Sequence, residues 1–111
     1  MNLNRSQMMS RPSDFEKIFS QGSRHSSTIM TIWIKPNKQF DSIVGFSVSK
    51  KVGNSVKRNL IRRRLKEIVK KILPDQGWII FISAKPSIVN RTFNQIFFDL
   101  KNILTINGVL S

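Results

Sequence analysis

The sequence contains no cysteine, which excludes disulfide bonds and thiolate metal ligands. Acidic residues are also scarce, because only six aspartates and glutamates stand against nineteen lysines and arginines. His25 is the single histidine and no nucleophile is paired with a base, so we expect neither protein catalytic residues nor a protein metal site. No stretch approaches the roughly 20 apolar residues of a membrane span. The first fourteen residues lack the apolar run of a secretory signal, so a cytoplasmic location is expected.

Positive charge is what the sequence has in abundance. Its 111 residues suffice for one domain, 40% of them are hydrophobic, and the formal net charge is +13. A field of this strength repels the chain itself and attracts polyanions, either nucleic acid or an anionic membrane surface. Because no segment could span a bilayer, nucleic acid is the favoured partner and no membrane association is expected.

Hydrophobic periodicity and turn residues divide the chain into helices and strands. The predicted elements, in chain order, are a helix over 12–21, strands over 28–35 and 43–49, a helix over 53–73, a strand over 78–83, a turn over 84–87 and a helix over 87–104. Residues 23–27 are either irregular or a short edge strand. This order, α-β-β-(β)-α-β-α, predicts an α+β fold, a single-domain α/β sandwich. The domain is expected over 12–104, between a flexible N-terminal arm over 1–11 and a C-terminal tail over 105–111.

The predicted helix over 53–73 carries the most concentrated charge. Residues 50–71 hold ten of the nineteen basic residues and a single acid, Glu67. On a projection of about 100° per residue, one apolar stripe spans an arc of about 60°: Ile61, Leu65, Ile68 and Ile72. This stripe is expected to pack on the sheet while the basic residues occupy the remaining surface. Leu60 falls among the arginines, as an apolar residue on a charged surface.

Such a run of charge has two interpretations. It is often only the solvated face of a helix, especially where lysine and glutamate alternate. Here the balancing acids are missing, and like charges four residues apart, such as Arg62 and Lys66, cost about 0.2–0.5 kcal/mol per pair. A polyanion would cancel this repulsion, and adjacent arginines suit paired hydrogen bonds to phosphates. Polyanion binding is therefore the favoured interpretation.

Three aromatic residues also allow two interpretations. Phe15 and Phe19 lie one turn apart on the first helix, where most such pairs belong to the core and the others are binding residues. Trp33 lies on the strand face opposite Ile32 and Ile34, which already supply a core face. Its indole either packs under a helix or offers a platform on which unpaired bases stack, and we favour the platform.

The junction between the second strand and the basic helix is a further candidate site. Lys50, Lys51 and Asn54 lie where exposed backbone amides of a helix N-terminus would bind phosphate well. Asn54 could equally serve as the helix cap, and capping is compatible with phosphate binding next to it. Asn59 lies on the polar face of the helix, where its amide could hydrogen-bond RNA or have no binding role.

A long segment of the chain resembles a known family. Residues 44–63 read VGFSVSKKVGNSVKRNLIRR and, apart from position 60, resemble the bacterial ribonuclease P protein component. Residues 14–22 are similar to that family's first helix, and residues 78–86 to its last strand and turn. The resemblance covers about residues 8–104, and its specific part is the contiguous match around the basic helix.

The resemblance implies that the chain is the small subunit of a ribonucleoprotein endonuclease that removes the 5′ leader of precursor tRNA. In this family the catalytic centre lies in the RNA subunit and uses Mg²⁺, and the protein is not expected to bind a cofactor tightly. The partners are then the catalytic RNA and precursor tRNA, with the protein monomeric inside the complex. The family also implies a mixed sheet with a left-handed crossover through the basic helix, a rare exception to the usual hand.

The family further implies two groups of binding residues. Contacts with the catalytic RNA are expected from Lys50, Lys51, Asn54, Lys57, Arg58, Asn59, Arg62, Arg63, Arg64 and Lys66. The leader is expected in a cleft lined by Phe15, Phe19, Trp33, Ser47 and Ser49. The family's Arg-Asn-Arg motif ends here in Leu60, so one phosphate-binding arginine is missing. One of the three arginines at 62–64 is expected to compensate.

Two other classes of protein share some of these features. A ribosomal-type structural RNA-binding protein would have the same basic helix, but it would need no groove of stacking aromatic residues. An amphipathic element on a membrane surface would need a free apolar stripe, whereas the stripe of the basic helix is required by the sheet. The sequence therefore favours the ribonuclease P subunit.

Overall fold

The computed structural model describes residue 3 and residues 7–111, without the side chain of residue 39. Its elements are α1 (Pro12–Gln21), β1 (Ser23–Ser26), β2 (Met30–Asp41), β3 (Ile43–Ser47), α2 (Ser55–Ile72), β4 (Gln76–Ala84), a 3₁₀ turn (Pro86–Asn90) and α3 (Phe93–Ile106). The predicted α+β class is confirmed. The short edge strand that the sequence left open is present as β1.

The four strands form one mixed sheet in the order β1-β2-β4-β3. β2 pairs antiparallel with β1 and with β4, whereas β3 and β4 are parallel. Because parallel neighbours need a long connection, α2 serves as the crossover between them. β4 lies between two partners, which confirms the central strand predicted from its continuous apolar run. The left-handed sense of the crossover stays a prediction from the resemblance.

The two faces of the sheet support hydrophobic clusters of unequal size. The larger cluster joins Ile32 of β2 and Ile80 of β4 to the buried faces of α2 and α3. The smaller cluster lies on the opposite face, where Phe81 and Ile79 pack against Ile18 of α1. Alternation along the strands separates these two sets of side chains. The sheet is therefore covered by α2 and α3 on one face and by α1 on the other.

Local signals place α2 where the sequence predicts it. The side chain of Asn54 accepts a hydrogen bond from the Lys57 amide at 3.0 Å, so this residue is the N-cap. The helix ends at Ile72, and Leu73 is its C-cap just before Pro74, as expected of a helix that meets proline. Within it, the buried residues are Ile61, Leu65, Ile68 and Val69. The predicted stripe is confirmed, although Ile72 is only half-buried.

The first long strand is longer than predicted. Pro36 was expected to end it, but β2 continues to Asp41, and Pro36 lies opposite Trp78 of β4. β1 stops opposite Ile34, so from there onward β2 has a neighbour on one side only. A proline is tolerated at such an edge because no second strand requires its missing N–H.

The last helix is split, and the C-terminal tail is shorter than predicted. A 3₁₀ turn occupies Pro86–Asn90, and α3 begins only after Thr92, whose side chain forms a reciprocal capping box with Gln95. α3 then continues to Ile106, beyond the predicted end. Val109 is buried, and its amide donates to the carbonyl oxygen of Leu104 at 2.9 Å. The tail is therefore part of the helix end and of the core.

The flexible arm predicted over residues 1–11 is wrong for its last part. Met8 forms a parallel bridge with Val44, the amide of Met9 donates to the Val44 carbonyl oxygen at 2.8 Å, and Met9 is buried. β3 is an edge strand with backbone groups to satisfy, and two apolar side chains favour this docking. Residues 1, 2 and 4–6 of the predicted arm lie outside the described residues.

Candidate nucleic-acid interface

The charged side of α2 forms an open basic surface, as the helical projection predicted. A shallow groove on this surface is lined by Asn59, Arg62, Arg63, Lys66, Glu67 and Lys70. Arg63 and Lys66 of this lining are exposed. Glu67 is the only acid in the lining, so the groove presents a strong positive charge to solvent. Four of the ten predicted contacts with the catalytic RNA line this groove, namely Asn59, Arg62, Arg63 and Lys66.

Hydrogen bonds within the protein fix two of the arginines. Arg62 donates from Nη1 to Asn59 Oδ1 at 2.9 Å and from Nη2 to the Val48 carbonyl oxygen at 3.4 Å. Arg64 donates from Nη1 to the Arg91 carbonyl oxygen at 3.3 Å. These bonds anchor α2 to the end of β3 on one side and to the segment before α3 on the other. Each guanidinium keeps further N–H groups for an external acceptor.

Arg58 is held differently. Its side chain is half-buried, and within the described part of the chain its Nε is a buried donor without a hydrogen-bond acceptor. A buried unsatisfied donor costs about 1–3 kcal/mol. Protein stability therefore gains little from this group, and the contact of Arg58 with RNA stays a prediction.

The turn before α2 exposes the other basic residues of the predicted site. Lys50 and Lys51 are exposed in this turn, which is closed by a hydrogen bond from the Val52 amide to the Ser49 carbonyl oxygen at 3.0 Å. Asn54 already uses the Lys57 amide for capping. The first helical amides before Lys57 remain available to a phosphate, so capping and phosphate binding are compatible here.

The other predicted site lies on the opposite face of the sheet and is centred on four aromatic rings. Phe19 meets Trp33 and Phe81 edge to face, with ring centroids 5.1 Å apart in both pairs. Phe15 contacts Phe81 at 5.9 Å, and Trp33 contacts Phe81 at 5.8 Å. Such geometry is favourable for aromatic pairs. The structure thus brings the three predicted aromatic residues together around Phe81.

The sequence allowed two interpretations of Trp33, packing under a helix or a platform for stacked bases. Its indole is half-buried and packs against Phe19 of α1, and the guanidinium of Arg24 lies 5.8 Å from the ring centroid. Packing under a helix is therefore observed. Phe19 itself is 49% exposed, so the cluster keeps an open aromatic surface next to a cation. A stacking platform for bases stays a prediction.

A row of hydroxyl groups crosses the sheet beside the aromatic cluster. Strand pairing aligns Ser26 with Thr31, Thr31 with Ser83, and Ser83 with Ser47. The first two hydroxyls are hydrogen-bonded to each other at 3.0 Å. Ser47 is therefore on the same face as Trp33, as predicted. Ser49 lies beyond the end of β3, exposed in the turn that leads to α2.

Sequence reasoning missed Phe81, Arg24 and most of this hydroxyl row. Phe81 and Ser83 belong to a continuous apolar run, which gives no sign that its two faces differ. The pairing of β2 with β4 assigns them to the face of α1. Alternation within 78–83 would have separated Phe81 from Ile80 and Ile82. It would not have shown which of the two sets meets α1. Only the strand register shows that.

Gly45 allows β3 to pass close to the aromatic cluster. A Cβ at this position would lie 2.8 Å from Cδ2 of Phe81 and 3.1 Å from Cβ of Met9. We expect Gly45→Ala to lower the free energy of unfolding by about 1–3 kcal/mol through overpacking, measured by urea denaturation. Phe81→Leu in the same chain removes the ring and should recover part of the loss. If the changes in the free energy of unfolding caused by the two substitutions are simply additive in the double variant, the close approach of Gly45 to Phe81 is not the cause.

Acidic and metal-ligating residues do not gather anywhere in the part of the chain that the structure describes. No group of three or more histidines, aspartates and glutamates is close enough to hold a metal ion among these residues. Asp99 accepts a hydrogen bond from the Ser27 hydroxyl at 2.6 Å, which gives it a structural partner. In the same residues, no helix is both long and apolar enough to cross a bilayer.

A one-sided cationic helix on a mixed sheet, with a cluster of aromatic rings on the other face, is typical of an RNA-binding α+β protein. Comparison with known proteins identifies its family, because the ribonuclease P model matches residues 3–107. A ribonuclease P protein component from Clostridioides difficile is 38% identical over 109 residues, covering 94% of each chain. The chain belongs to the ribonuclease P protein family, whose members are components of a tRNA-processing ribonucleoprotein.

Solved structures agree with this assignment. The ribonuclease P protein of Staphylococcus aureus superimposes with a TM-score of 0.82 at 30% identity, covering 95% of this chain and 98% of that one. The protein from Thermotoga maritima, bound to 1-(4-fluorophenyl)-2-thiourea, gives a TM-score of 0.73 at 23% identity, over 82% of this chain and 91% of the other. The second likeness is one of fold alone.

Proposed function

We propose that the protein binds the catalytic RNA of ribonuclease P through α2 and the unpaired 5′ leader of precursor tRNA through the face covered by α1. In this role it assists the endonucleolytic removal of the leader, which produces the mature 5′ end. It acts as a single copy within the complex. Because precursor tRNA is its proposed substrate, the proposed location is the cytoplasm.

The one-sided chemistry of α2 is the observation that carries this proposal. The apolar side of the helix packs into the core, with Leu65 and Ile68 completely buried. The other side combines anchored guanidinium groups, as at Arg62, with exposed cations such as Arg63 and Lys66. A rigid array of this kind matches the repeating charge of a phosphodiester backbone. Each phosphate that it neutralises adds to affinity by releasing counterions.

The face covered by α1 suits a nucleic acid without fixed sequence. Bases present flat surfaces whatever their identity, so rings such as Phe19 and Trp33 could stack on any of them. The hydroxyls of the adjacent row donate and accept, and Arg24 adds a positive charge at 5.8 Å from the Trp33 ring. An unpaired leader of variable sequence requires this combination.

Hydrolysis is assigned to the RNA subunit, with Mg²⁺ as its metal. The described acids of the protein fit this assignment because they are dispersed, with Asp14 and Glu16 on α1, Glu67 on α2 and Asp99 on α3. They form no set of carboxylates on one site, which Mg²⁺ ligation by the protein would need. The protein's own residues would position the leader and reduce repulsion between the two RNAs.

Arg63 is the best replacement for the arginine that Leu60 displaces from the family motif. Arg62 and Arg64 are each anchored to a protein acceptor, whereas Arg63 is exposed beside the groove. Leu60 is half-buried, so part of its side chain is shielded from the charged surface. A different arginine can therefore supply the phosphate contact without a change in the helix.

Reconstitution with the cognate catalytic RNA tests the proposed function. At low Mg²⁺ the protein is expected to raise kcat/KM for precursor tRNA by about tenfold or more, since leader stacking is worth about 1–3 kcal/mol per base. A precursor with a leader of one nucleotide is the control and should gain much less. Binding of the RNA without faster cleavage would favour the alternative, a structural RNA-binding protein of ribosomal type.

A further inference from the structure

A second group of aromatic rings lies far from the leader site, on the side of the molecule formed by α2 and α3. We call these rings, together with the two lysines beside them, the α2–α3 patch. Its members are Lys71, Phe93, Phe97, Phe98 and Lys101. The rings of Phe93 and Phe97 are nearly parallel, at 28° with centroids 6.4 Å apart. Phe98 meets Phe97 edge to face at 5.7 Å. The three rings thus form one continuous surface.

The hydrophobic core explains only part of this patch. Phe93 and Phe97 are half-buried and pack against the larger cluster, on the apolar stripe of α3 that also carries the buried Ile96 and Leu100. Phe98 lies outside that stripe and is 65% exposed. An exposed phenylalanine contributes little to folding, and it extends the ring surface of Phe97 outward into solvent. Its position therefore points to an external partner.

Two lysine side chains lie over the rings. Nζ of Lys71 lies 5.5 Å from the centroid of Phe93, and Nζ of Lys101 lies 6.0 Å from that of Phe97. The acid on α3, Asp99, precedes Lys101 by two residues. The two side chains therefore point about 200° apart around the helix axis. Asp99 is held there by the Ser27 hydroxyl at 2.6 Å. The patch is thus aromatic and cationic at once.

We infer that the α2–α3 patch binds an unpaired segment of the catalytic RNA. Phe97 and Phe98 would stack on bases, and Lys71 and Lys101 would contact the adjoining phosphates. The inference rests on the proposed function, because it extends the RNA-binding surface of α2. Arg64, anchored to the Arg91 carbonyl oxygen, carries that positive surface across to the start of α3.

Two other occupants fit the patch less well. A second copy of the chain would bring its own Lys71 and Lys101 against the same residues, in a protein of net charge +13. The leader bound near Trp33 lies on the opposite face of the sheet, since Trp33 belongs to the cluster under α1 and the patch to the other cluster. An RNA segment that follows α2 reaches the patch directly.

Matched alanine variants test the inference in the reconstituted complex. Phe98→Ala is expected to weaken binding of the catalytic RNA about tenfold, as loss of one stacked base would do. Ile106→Ala is the control, because Ile106 is 73% exposed on the same helix but about 12 Å further along it. It should bind like the wild type. Equal affinity of all three proteins would overturn the inference.

The absence of cysteine allows a second, direct test. Phe98→Cys, labelled with a photoactivated aryl azide, should crosslink to unpaired nucleotides of the catalytic RNA. Ile106→Cys should crosslink weakly, and an oligonucleotide that pairs the labelled segment should abolish the reaction at position 98. Crosslinks to base-paired nucleotides only, or none at all, would contradict stacking.

The outcomes separate this inference from the proposed function. If Phe98→Ala binds the catalytic RNA and stimulates cleavage as well as the wild type does, only the inferred RNA contact of the patch is rejected. If wild-type protein does not bind that RNA, both proposals fail. Association of wild-type protein with itself in sedimentation, lost in Phe98→Ala, would assign the patch to a second copy and overturn the RNA segment.

Discussion

Changing Arg63 to glutamine together with Lys66 to glutamate is expected to weaken binding of the catalytic RNA about 100-fold. Hydrogen bonds to charged groups contribute about 1.5–3 kcal/mol each, and two lost contacts amount to about 3 kcal/mol. Both side chains are exposed along the groove of α2, so the fold does not depend on them. The dependence of affinity on salt should also become shallower, by about one unit of slope per lost phosphate contact.

Stability distinguishes this loss of binding from a loss of structure. Lys66→Glu converts its two like-charge pairs, with Arg62 and with Lys70, into opposite-charge pairs, each worth about 0.2–0.5 kcal/mol. The variant should therefore unfold at the same urea concentration as the wild type or a slightly higher one. Lys17→Glu with Lys38→Gln changes the net charge equally on exposed positions outside α2. Equal weakening by this control pair would mean that only the overall charge matters.

Replacement of Trp33 by alanine is expected to impair substrates with a leader about tenfold more than mature tRNA. A stacked base is worth about 1–3 kcal/mol, and the change also removes a ring that supports Phe19 at 5.1 Å. Affinities of the reconstituted complex for precursor and mature tRNA give the ratio. A loss of folded protein lowers both affinities equally, so the ratio reports the leader alone.

Two controls sharpen this experiment. Trp33→Leu keeps apolar volume without a flat ring, and it should lose the leader preference while retaining most of the stability. Trp78→Ala removes the other tryptophan, which is half-buried against the larger cluster, and it should leave the ratio unchanged. Equal losses for precursor and mature tRNA in Trp33→Ala would remove Trp33 from the leader site.

The basic helix was the most predictable part of the molecule because its signals are local. A period of 3.6 residues locates the stripe of Leu65 and Ile68, and Asn54 and Pro74 mark the two ends. Charge on the other side follows directly from the residues that remain. The aromatic pair of α1 was predictable for the same reason, since Phe15 and Phe19 are one turn apart.

The predictions that failed depended on neighbours distant in the chain. Pro36 reads as the end of a strand until β1 is known to stop before it. Met8 and Met9 read as part of a mobile arm until the free edge of β3 is placed beside them. In both cases the backbone's need for hydrogen-bond partners decided the outcome, and such partners are not visible in a local pattern.

The sequence by itself determined a strongly cationic α+β domain, its amphipathic basic helix and the order of its elements, because charge and periodicity are properties of neighbouring residues. Tertiary structure alone decided which side chains meet. The register of β2 against β4 brought Phe81 under α1 and aligned the hydroxyls, and the packing of α3 on α2 placed Lys71 over Phe93. Pairings across many residues depend on how the whole core closes, so no single segment encodes them.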